Sequence, residues 1–203
     1  MALCAVANEN TPRARLIGKT VIIGRGHPLR DEAESLIERV YAETFDAALD
    51  SHFPTLVAML DEMGRVVSAA GCRRAIDGPL FLEQYLDEPI EGVLSRAAGS
   101  PIARRQVAEI GSLASIGIGA APLFASLAAH LHEEGAAFAV ATATSRLRRA
   151  FKAFGFGATE IVKADCSKLA DRGRNWGGYY EHDPMVVWGR VAAGLRAQPG
   201  AQR

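Results

Sequence analysis

The first chemical signal in the sequence lies between Gln106 and Pro122. There QVAEIGSLASIGIGAAP places Gly117 and Gly119 between a short apolar run and a helix pattern in which Leu123, Phe124, Leu127 and Leu131 share one face. A glycine-bearing strand-to-helix turn brings backbone N–H groups and the positive end of a helix dipole against an anion, and pyrophosphate is a natural guest. The same turn is common in α/β proteins. It lacks the Lys-Ser/Thr ending of a nucleotide P-loop and the spacing of a dinucleotide fingerprint, so taken alone it offers only anion binding of unspecified kind.

Cations and hydroxyls cluster elsewhere. Arg146, Arg148, Arg149 and Lys152 fall within about two turns of a helix, a face suited to phosphate groups, to an acidic protein or simply to solvent. Arg73 and Arg74, adjacent on an extended run, point to opposite faces, so that one can enter a cleft and hold a substrate carboxylate or pair with Glu83. Thr142 and Thr144 end the apolar run AAFAVATAT, where their hydroxyls can face an opening in a sheet. Trp176, Tyr179 and Tyr180, in RNWGGYYEHDP, are pocket-wall candidates.

Other residue types exclude chemistry. His27, His52, His130, His132 and His182 form no metal-ligand pattern, and the two-residue spacing of His130 and His132 sends their side chains apart on a helix. No metal is expected. Cys166 beside Asp165 is no nucleophilic pair, since adjacency does not position a base, and no Ser-His-Asp set is defined by spacing.

The elements that must position these groups follow from periodicity. A strand is expected within Ala14–Ile23, and a helix opening at His27-Pro28-Leu29 and running past Tyr41. Phe45–Phe53 reads as a second short helix or a substrate-side lid. Leu56–Leu60 and Val66–Ala70 flank DEMGR as a hairpin. Short helices are expected at Leu80–Leu86 and from Ile90, separated by Pro89. Ala136–Thr144 reads as a strand, Ser145–Phe154 as a helix capped by Ser145 and stopped by Gly155, and Thr159–Ala164 and Met185–Val191 as strands. The hairpin and the late returning strands need antiparallel pairing, so the expected fold is a single-domain α/β arrangement, a mixed central sheet flanked by helices. Residues 1–14 read as a flexible arm, 15–196 as the domain and 197–203 as a flexible tail.

Composition narrows the function classes. In 203 residues, 23 Lys and Arg balance 23 Asp and Glu, which gives no general argument for nucleic acid. Widely spaced Cys4, Cys72 and Cys166, the lack of a signal-peptide pattern and the lack of a run of about 20 apolar residues lead to the expectation of a cytoplasmic location.

The arrangement resembles the N-acyltransferase superfamily that uses acetyl coenzyme A, in which the fourth strand runs into a glycine-containing pyrophosphate loop and a helix. Here only Gly117-x-Gly119 matches that loop, and Ala114 replaces the superfamily's usual basic or glutamine residue three places before it. Over roughly Gly24–Gly189, the succession VVSAAGCRRA, LFLEQYLDEPIE, VAEIGSLA, LFASLAAHLHEEG, FAVATATSRLRRAFKAFGF and WGGYY resembles the bacterial thermostable hemolysin-like family, and beyond it the acyl-homoserine lactone synthases.

That resemblance implies an acyl-CoA N-acyltransferase-like fold and transfer from an acyl-CoA or acyl-carrier-protein phosphopantetheine thioester to a small amine or amino-acid-like acceptor. It matches Glu109 to the family's strand glutamate and Arg73 to its arginine. Glu109 would then accept a proton directly or through water, or else fix a loop as an ordered carboxylate, and Tyr179 or Tyr180 would serve the leaving sulfur. Backbone at Gly111, Ser112 and Leu113 would orient the thioester. Ser115, Gly117, Gly119, Ala120, Arg146 and Arg149 would meet the donor's phosphates, and Arg73, Glu83, Thr142, Thr144 and Trp176 the acceptor. An acidic acyl carrier protein would dock on the Arg146–Lys152 face. The alternative is a noncatalytic fatty-acyl-binding or membrane-active protein on the same fold.

Overall fold

The computed structural model describes residues 5–6, 19–116, 121–153 and 155–196. The strands are β1 (Ala5–Val6), β2 (Lys19–Ile23), β3 (Thr55–Leu60), β4 (Val66–Arg74), β5 (Val107–Ile116), β6 (Phe138–Ala143), β7 (Thr159–Lys163) and β8 (Met185–Arg190). The helices are α1 (Arg30–Phe45), α2 (Ile90–Ala98), α3 (Ala121–Glu133), α4 (Ser145–Ala153) and α5 (Val191–Arg196). One mixed sheet runs β2-β3-β4-β5-β6-β8-β7, with β1 beside the end of β5. The hairpin β3–β4, the strand β5 and the helix α3 stand where periodicity placed them.

The sheet forks at its centre. β5 pairs in parallel with β6 from Val107↔Phe138 to Ile110↔Ala141, and that ladder ends there. β5 then stays with β4 as far as Ser115↔Ser68, while β6 stays with β8 to Ala143↔Met185. The cause is local. Between the pairs Gly71↔Gly111 and Ala69↔Ala114, β5 carries an extra residue, and Ser112 there has φ 50°, a bulge that bends the strand away from β6.

Both faces of the sheet are covered. On one, Val57, Ala70, Ala108, Ala141 and Val187 meet Leu123, Leu127, Leu131, Leu147 and Phe151 of α3 and α4. On the other, Leu36, Ile37, Val40 and Tyr41 of α1 pack over Leu56, Ala58 and Ala69, while Leu82, Tyr85, Ile90 and Leu94 cover Val107, Val140 and Val186. At about 25 cal/mol per Å² of buried apolar surface, these interfaces supply the main drive to fold.

Several local expectations need correction. Phe45 is the last residue of α1; the segment from Asp46 to Pro54 is irregular and forms no second helix. Thr144 rather than Ser145 caps α4, its Oγ1 accepting from Leu147 N at 3.4 Å. Between Arg174 and His182 two 3-10 turns are separated by a kink at Gly177, whose φ 49° and ψ −131° are not helical, and α5 follows β8; neither was read from the sequence. The arm and tail lie outside the described residues apart from β1, as does the whole Gly117–Ala120 turn.

Candidate active site

The fork is where the singled-out residues meet. Glu109 and Arg73 stand directly opposite across the β5–β4 ladder and so share a face of the sheet. Glu109 is 3% exposed. Its Oε2 accepts from Phe81 N at 2.8 Å and its Oε1 from Leu82 N at 2.9 Å, which fastens the 3-10 turn Phe81–Tyr85 to the sheet. Burial pushes the carboxyl up to about 7, against the two amide bonds and the Arg73 charge, which pull it down. A chamber of about 10 Å³ lies among Glu109, Phe81, Ile110, Thr142, Trp176 and Tyr179, room for about one water.

On the α1 side, a mixed cleft of about 540 Å³, the more polar of the two sides, opens between residues 48–53, 79–84 and 169–176, and reaches Arg73 and the bulged Ser112. Arg73 donates to Pro79 O at 3.0 Å, with its guanidinium carbon 5.7 Å from the centre of the Phe53 ring. Most of its donors have no hydrogen-bond partner among the described residues, so the fork of the guanidinium is available to a carboxylate. Arg74 points to the other face and donates to the carbonyls of Glu134 and Arg105. Trp176 walls both chamber and cleft.

On the α3 side lies an apolar compartment of about 70 Å³, lined by Ile110, Leu127, Ala139, Ala141, Val187 and the mutually packed rings of Phe124, Phe151 and Phe156. A smaller hollow in the mouth of the fork, bounded by Gly111, Leu113, Ala141 and Thr142, shares Ile110, Phe124 and Leu127 with it. Ile110 borders the chamber, the hollow and the compartment, so a small patch of strand separates the apolar side from the polar one. Thr142, 6% exposed, faces chamber and hollow with an Oγ1 that has no hydrogen-bond partner among the described residues.

Of the remaining candidates Tyr179 stays at this point, and the others fall away from it. Tyr179, 1% exposed, touches the chamber, donates to Thr142 O at 3.2 Å and is raised well above the ordinary phenol range by burial. Tyr180 borders neither the chamber nor the cleft; its hydroxyl is 2.6 Å from that of Tyr85, and burial raises it to about 12. Glu83 meets Arg104 at 2.7 Å rather than Arg73, and accepts from Leu80 N and Ile90 N. Burial opposes its ionisation, yet Arg104 and the amides hold the carboxyl down at about 2. Thr144 is occupied in capping. Ser115 is buried near the end of β5, and Arg146 and Arg149 are exposed on α4. Arg148 turns inward to Glu160 and Asp183, which narrows the basic face to Arg146, Arg149 and Lys152.

Sequence reasoning weighed His52 only as a metal ligand, and passed over Asp50, Asp171 and Asn175 in the cleft and the arginine that frames it. Arg30 donates to Phe53 O at 2.6 Å and Pro54 O at 3.2 Å, fixing the loop to α1. A signal was present: a cation in the first turn of a helix opposes the dipole, and so demands acceptors from elsewhere.

A profile of the thermostable hemolysin family matches residues 23–195. The chain belongs to the thermostable hemolysin family. No curated protein matches this family member. Among solved structures, it is similar to TofI in an apo form, with 17% identity, 88% of this chain and 95% of the other covered, and a TM-score of 0.61. The AHL synthase LasI matches at 12% identity, over 90% and 96% of the chains, with a TM-score of 0.58. FeeM, an N-acyl amino acid synthase from uncultured soil microbes, matches at 14% identity, over 92% and 97%, with a TM-score of 0.58. The hemolysin-family chain therefore has the acyltransferase-like fold of these synthases. Among its described residues no helix is long and apolar enough to cross a membrane, and no three His, Cys, Asp or Glu side chains are grouped to hold a metal ion.

Proposed function

We propose that this protein is an N-acyltransferase that moves an acyl group from an acyl-CoA or acyl-carrier-protein thioester to a small amine or amino-acid-like acceptor. The observation that carries the reading is the small chamber at Glu109, which shares Ile110 with the apolar compartment and hollow and Phe81 and Trp176 with the wider cleft, beside the fork in the sheet. Acyl transfer needs that division: an acyl chain on one side, a charged acceptor on the other, and the thioester carbonyl between them. TofI in complex with an inhibitor and MTA, and the CoA-dependent acyl-homoserine lactone synthase MesI, share this fold and support the same class of reaction.

In this reading the acyl chain enters the hollow at Ile110 and lies toward Phe124 and Phe151. The backbone around Gly111–Leu113 and the Thr142 hydroxyl face the carbonyl oxygen as it gains charge. Arg73 holds an acceptor carboxylate. Glu109, titrating near neutrality and reaching the fork through one water, takes the proton that the nitrogen loses as the C–N bond forms. The C–S bond breaks, and the departing sulfur receives that proton with help from the Tyr179 hydroxyl. Trp176 and Phe81 keep bulk water from the carbonyl.

The Gly117–Ala120 turn and the exposed cations of α4 are assigned to the donor's phosphates or to an acidic carrier protein, and the cytoplasm, where such thioesters are made, is the proposed location. The deciding experiment incubates purified protein with thioesters of increasing chain length and a panel of amines, and measures acyl-amide by mass spectrometry. Product is expected with at least one pair. Tight thioester binding without product across the panel would replace this reading with a fatty-acyl-binding protein, and leakage of lipid vesicles without turnover would replace it with a membrane-active one.

A further inference from the structure

The chamber at Glu109 and the wide cleft are separate cavities with two walls in common. Phe81 and Trp176 border both, and their rings, 5.4 Å apart, leave Glu109 in a space of about 10 Å³ beside one of about 540 Å³. We propose that Glu109 is the latch of a gate between them: as a carboxylate it holds Phe81 shut against Trp176, and on taking a proton it releases the Phe81 backbone and opens the chamber to the cleft. The latch itself needs no substrate, and only its place in a reaction rests on the acyl-transfer reading above.

Both oxygens of Glu109 are spent on one turn. Oε2 accepts from Phe81 N at 2.8 Å and Oε1 from Leu82 N at 2.9 Å. Hydrogen bonds to an ionised acceptor are about twice as strong as neutral ones, and a carboxylate has lone pairs enough for both amides. A proton takes the charge from both bonds and makes one oxygen a donor, so at least one amide loses most of its tie.

The turn is not held equally along its length. Leu82 and Tyr85 are buried, the Tyr85 hydroxyl meets that of Tyr180, and Lys168 Nζ donates to Tyr85 O at 3.1 Å. Phe81 is only half-buried and follows the irregular residues 78–80. Its backbone N–H is tied to Glu109 alone among the printed partners of the turn, whereas Leu80 N, one residue earlier, is tied to Glu83 Oε2 at 2.8 Å. Rotation of the Leu80–Phe81 peptide, with Leu80 and Leu82 staying in the core, carries the ring away from Trp176.

The surroundings let Glu109 hold either state near neutral pH. Burial pushes its carboxyl up to about 7, against the two amides and Arg73, which pull it down. Arg73 on β4 stands opposite it across the ladder, and Val140 and Thr142 on β6 bring no charge. Tyr85 of the turn and Tyr179 of the segment that follows β7 border the chamber with hydroxyls that burial raises above the ordinary phenol range. In the acyl-transfer reading the gate arms the base. A neutral Glu109, open to the cleft, gives its proton to water there, and the carboxylate so formed closes the chamber before transfer begins. No proton is left over, since the one later taken from nitrogen passes to sulfur.

The test uses the whole chain without donor or acceptor, so its failure leaves acyl transfer standing, and a lack of turnover leaves the latch standing. Amide exchange read by NMR, expressed as protection over the unstructured rate, should fall about tenfold at Phe81 between pH 8 and pH 5. Leu80 should keep its protection across that range, because burial opposes ionisation of Glu83 but Arg104 and the amides hold its carboxyl at about 2. In Glu109→Gln, which is neutral at every pH, Phe81 should show the low protection throughout. Trp176 and Trp188 are the two tryptophans of the chain, so in a Trp188→Phe background acrylamide quenching reads Trp176 alone, and it should be stronger at pH 5 than at pH 8. Constant protection at Phe81 in the wild type overturns the latch, and so does loss at Phe81 and Leu80 together, which is fraying of the whole segment. Release of Phe81 with unchanged quenching of Trp176 overturns the gate.

Discussion

The two compartments on either side of the Glu109 chamber are built differently. The apolar one is walled mostly by regular elements, β5, β6, β8, α3, α4 and α5, with Phe156 and Ala158 added from the loop after α4. The polar one is walled by irregular segments, 48–53, 79–84 and 169–176, held by single interactions: Arg30 on Phe53 O, Glu109 on the amides of Phe81 and Leu82, and Ala48 N on Asn175 O at 2.9 Å. Periodic walls lose little when one contact is removed. Irregular walls depend on each tie, so the largest effects are expected on the cleft side.

The sharpest break is Gly177→Ala. Gly177 has φ 49° and ψ −131°, a conformation that side chains resist, and an added Cβ would fall inside the carbonyl oxygen of Phe45, a backbone atom with nowhere to go. Conformational strain and overpacking together should cost about 4 kcal/mol, read as a lower urea midpoint. Thioester binding by the molecules that remain folded should be unchanged, since the apolar compartment lies on the other face. Loss of donor binding in step with acceptor binding would show that the two sides are not separable.

Next in size is the titration of Glu109. Its folded pKa of about 7 stands above the ordinary 4.5, so the buried neutral acid is favoured below pH 4.5 and its stabilising contribution is lost as pH rises through 7. Across that window the shift corresponds to about 3 kcal/mol. In Glu109→Gln this dependence should vanish, so the melting temperature of the variant relative to wild type should rise between pH 5 and pH 8. The chemical step should slow by at least about 100-fold with every acceptor, hydroxylamine included. A parallel pair of melting curves across that range would remove the raised pKa from the account.

These two predictions also mark what the sequence made legible. The hairpin β3–β4, the strand β5, the helix α3 and the β6–α4 passage were readable because they depend on local periodicity and on the punctuation of Gly64 and Gly155. The fork was not. It arises from a bulge at Ser112, and nothing in IGSLA states that Ser112 rather than Gly111 takes the positive φ. Glu109 and Arg73 were placed by resemblance, and the structure adds that they face each other across a ladder. Arg104 was missed entirely, although it unites Glu83, Glu91, Ala75 O and Gly78 O, because its partners lie 13 to 29 residues away and no periodicity links them. The contact of His52 with Glu38 escaped for the same reason: the two are separated by the end of α1 and a loop.

On the apolar side the expected effects are smaller. Ala139 points from β6 into the compartment, and Ala139→Leu would fill part of a cavity of about 70 Å³. The extra methylenes should cost about 1 kcal/mol, the low end for added bulk, because the site already contains space. The readout is a shift of the preferred thioester toward shorter chains, with the acceptor KM unchanged. An unaltered chain-length profile would place the acyl group elsewhere.

The smallest effect on stability and the most selective on encounter belongs to the exposed face of α4. Arg149→Glu combined with Lys152→Glu reverses charge at two positions where the side chains are open to solvent, so folding should change by no more than about 0.5 kcal/mol. Steering of an acidic carrier protein depends on that charge and is screened over about 10 Å at 0.1 M salt. At low ionic strength the association rate of an acyl-carrier-protein donor should therefore fall about tenfold in the double variant, and wild type and variant should converge as salt is added. A coenzyme A donor separates two sources of attraction. If its KM rises as well, the face meets the donor's own phosphates; if only the carrier-protein rate falls, the face reads a protein surface. Equal rates for wild type and variant with both donors at low salt would leave α4 with a packing role through Leu147 and Phe151, and would confine recognition of the donor to the fork.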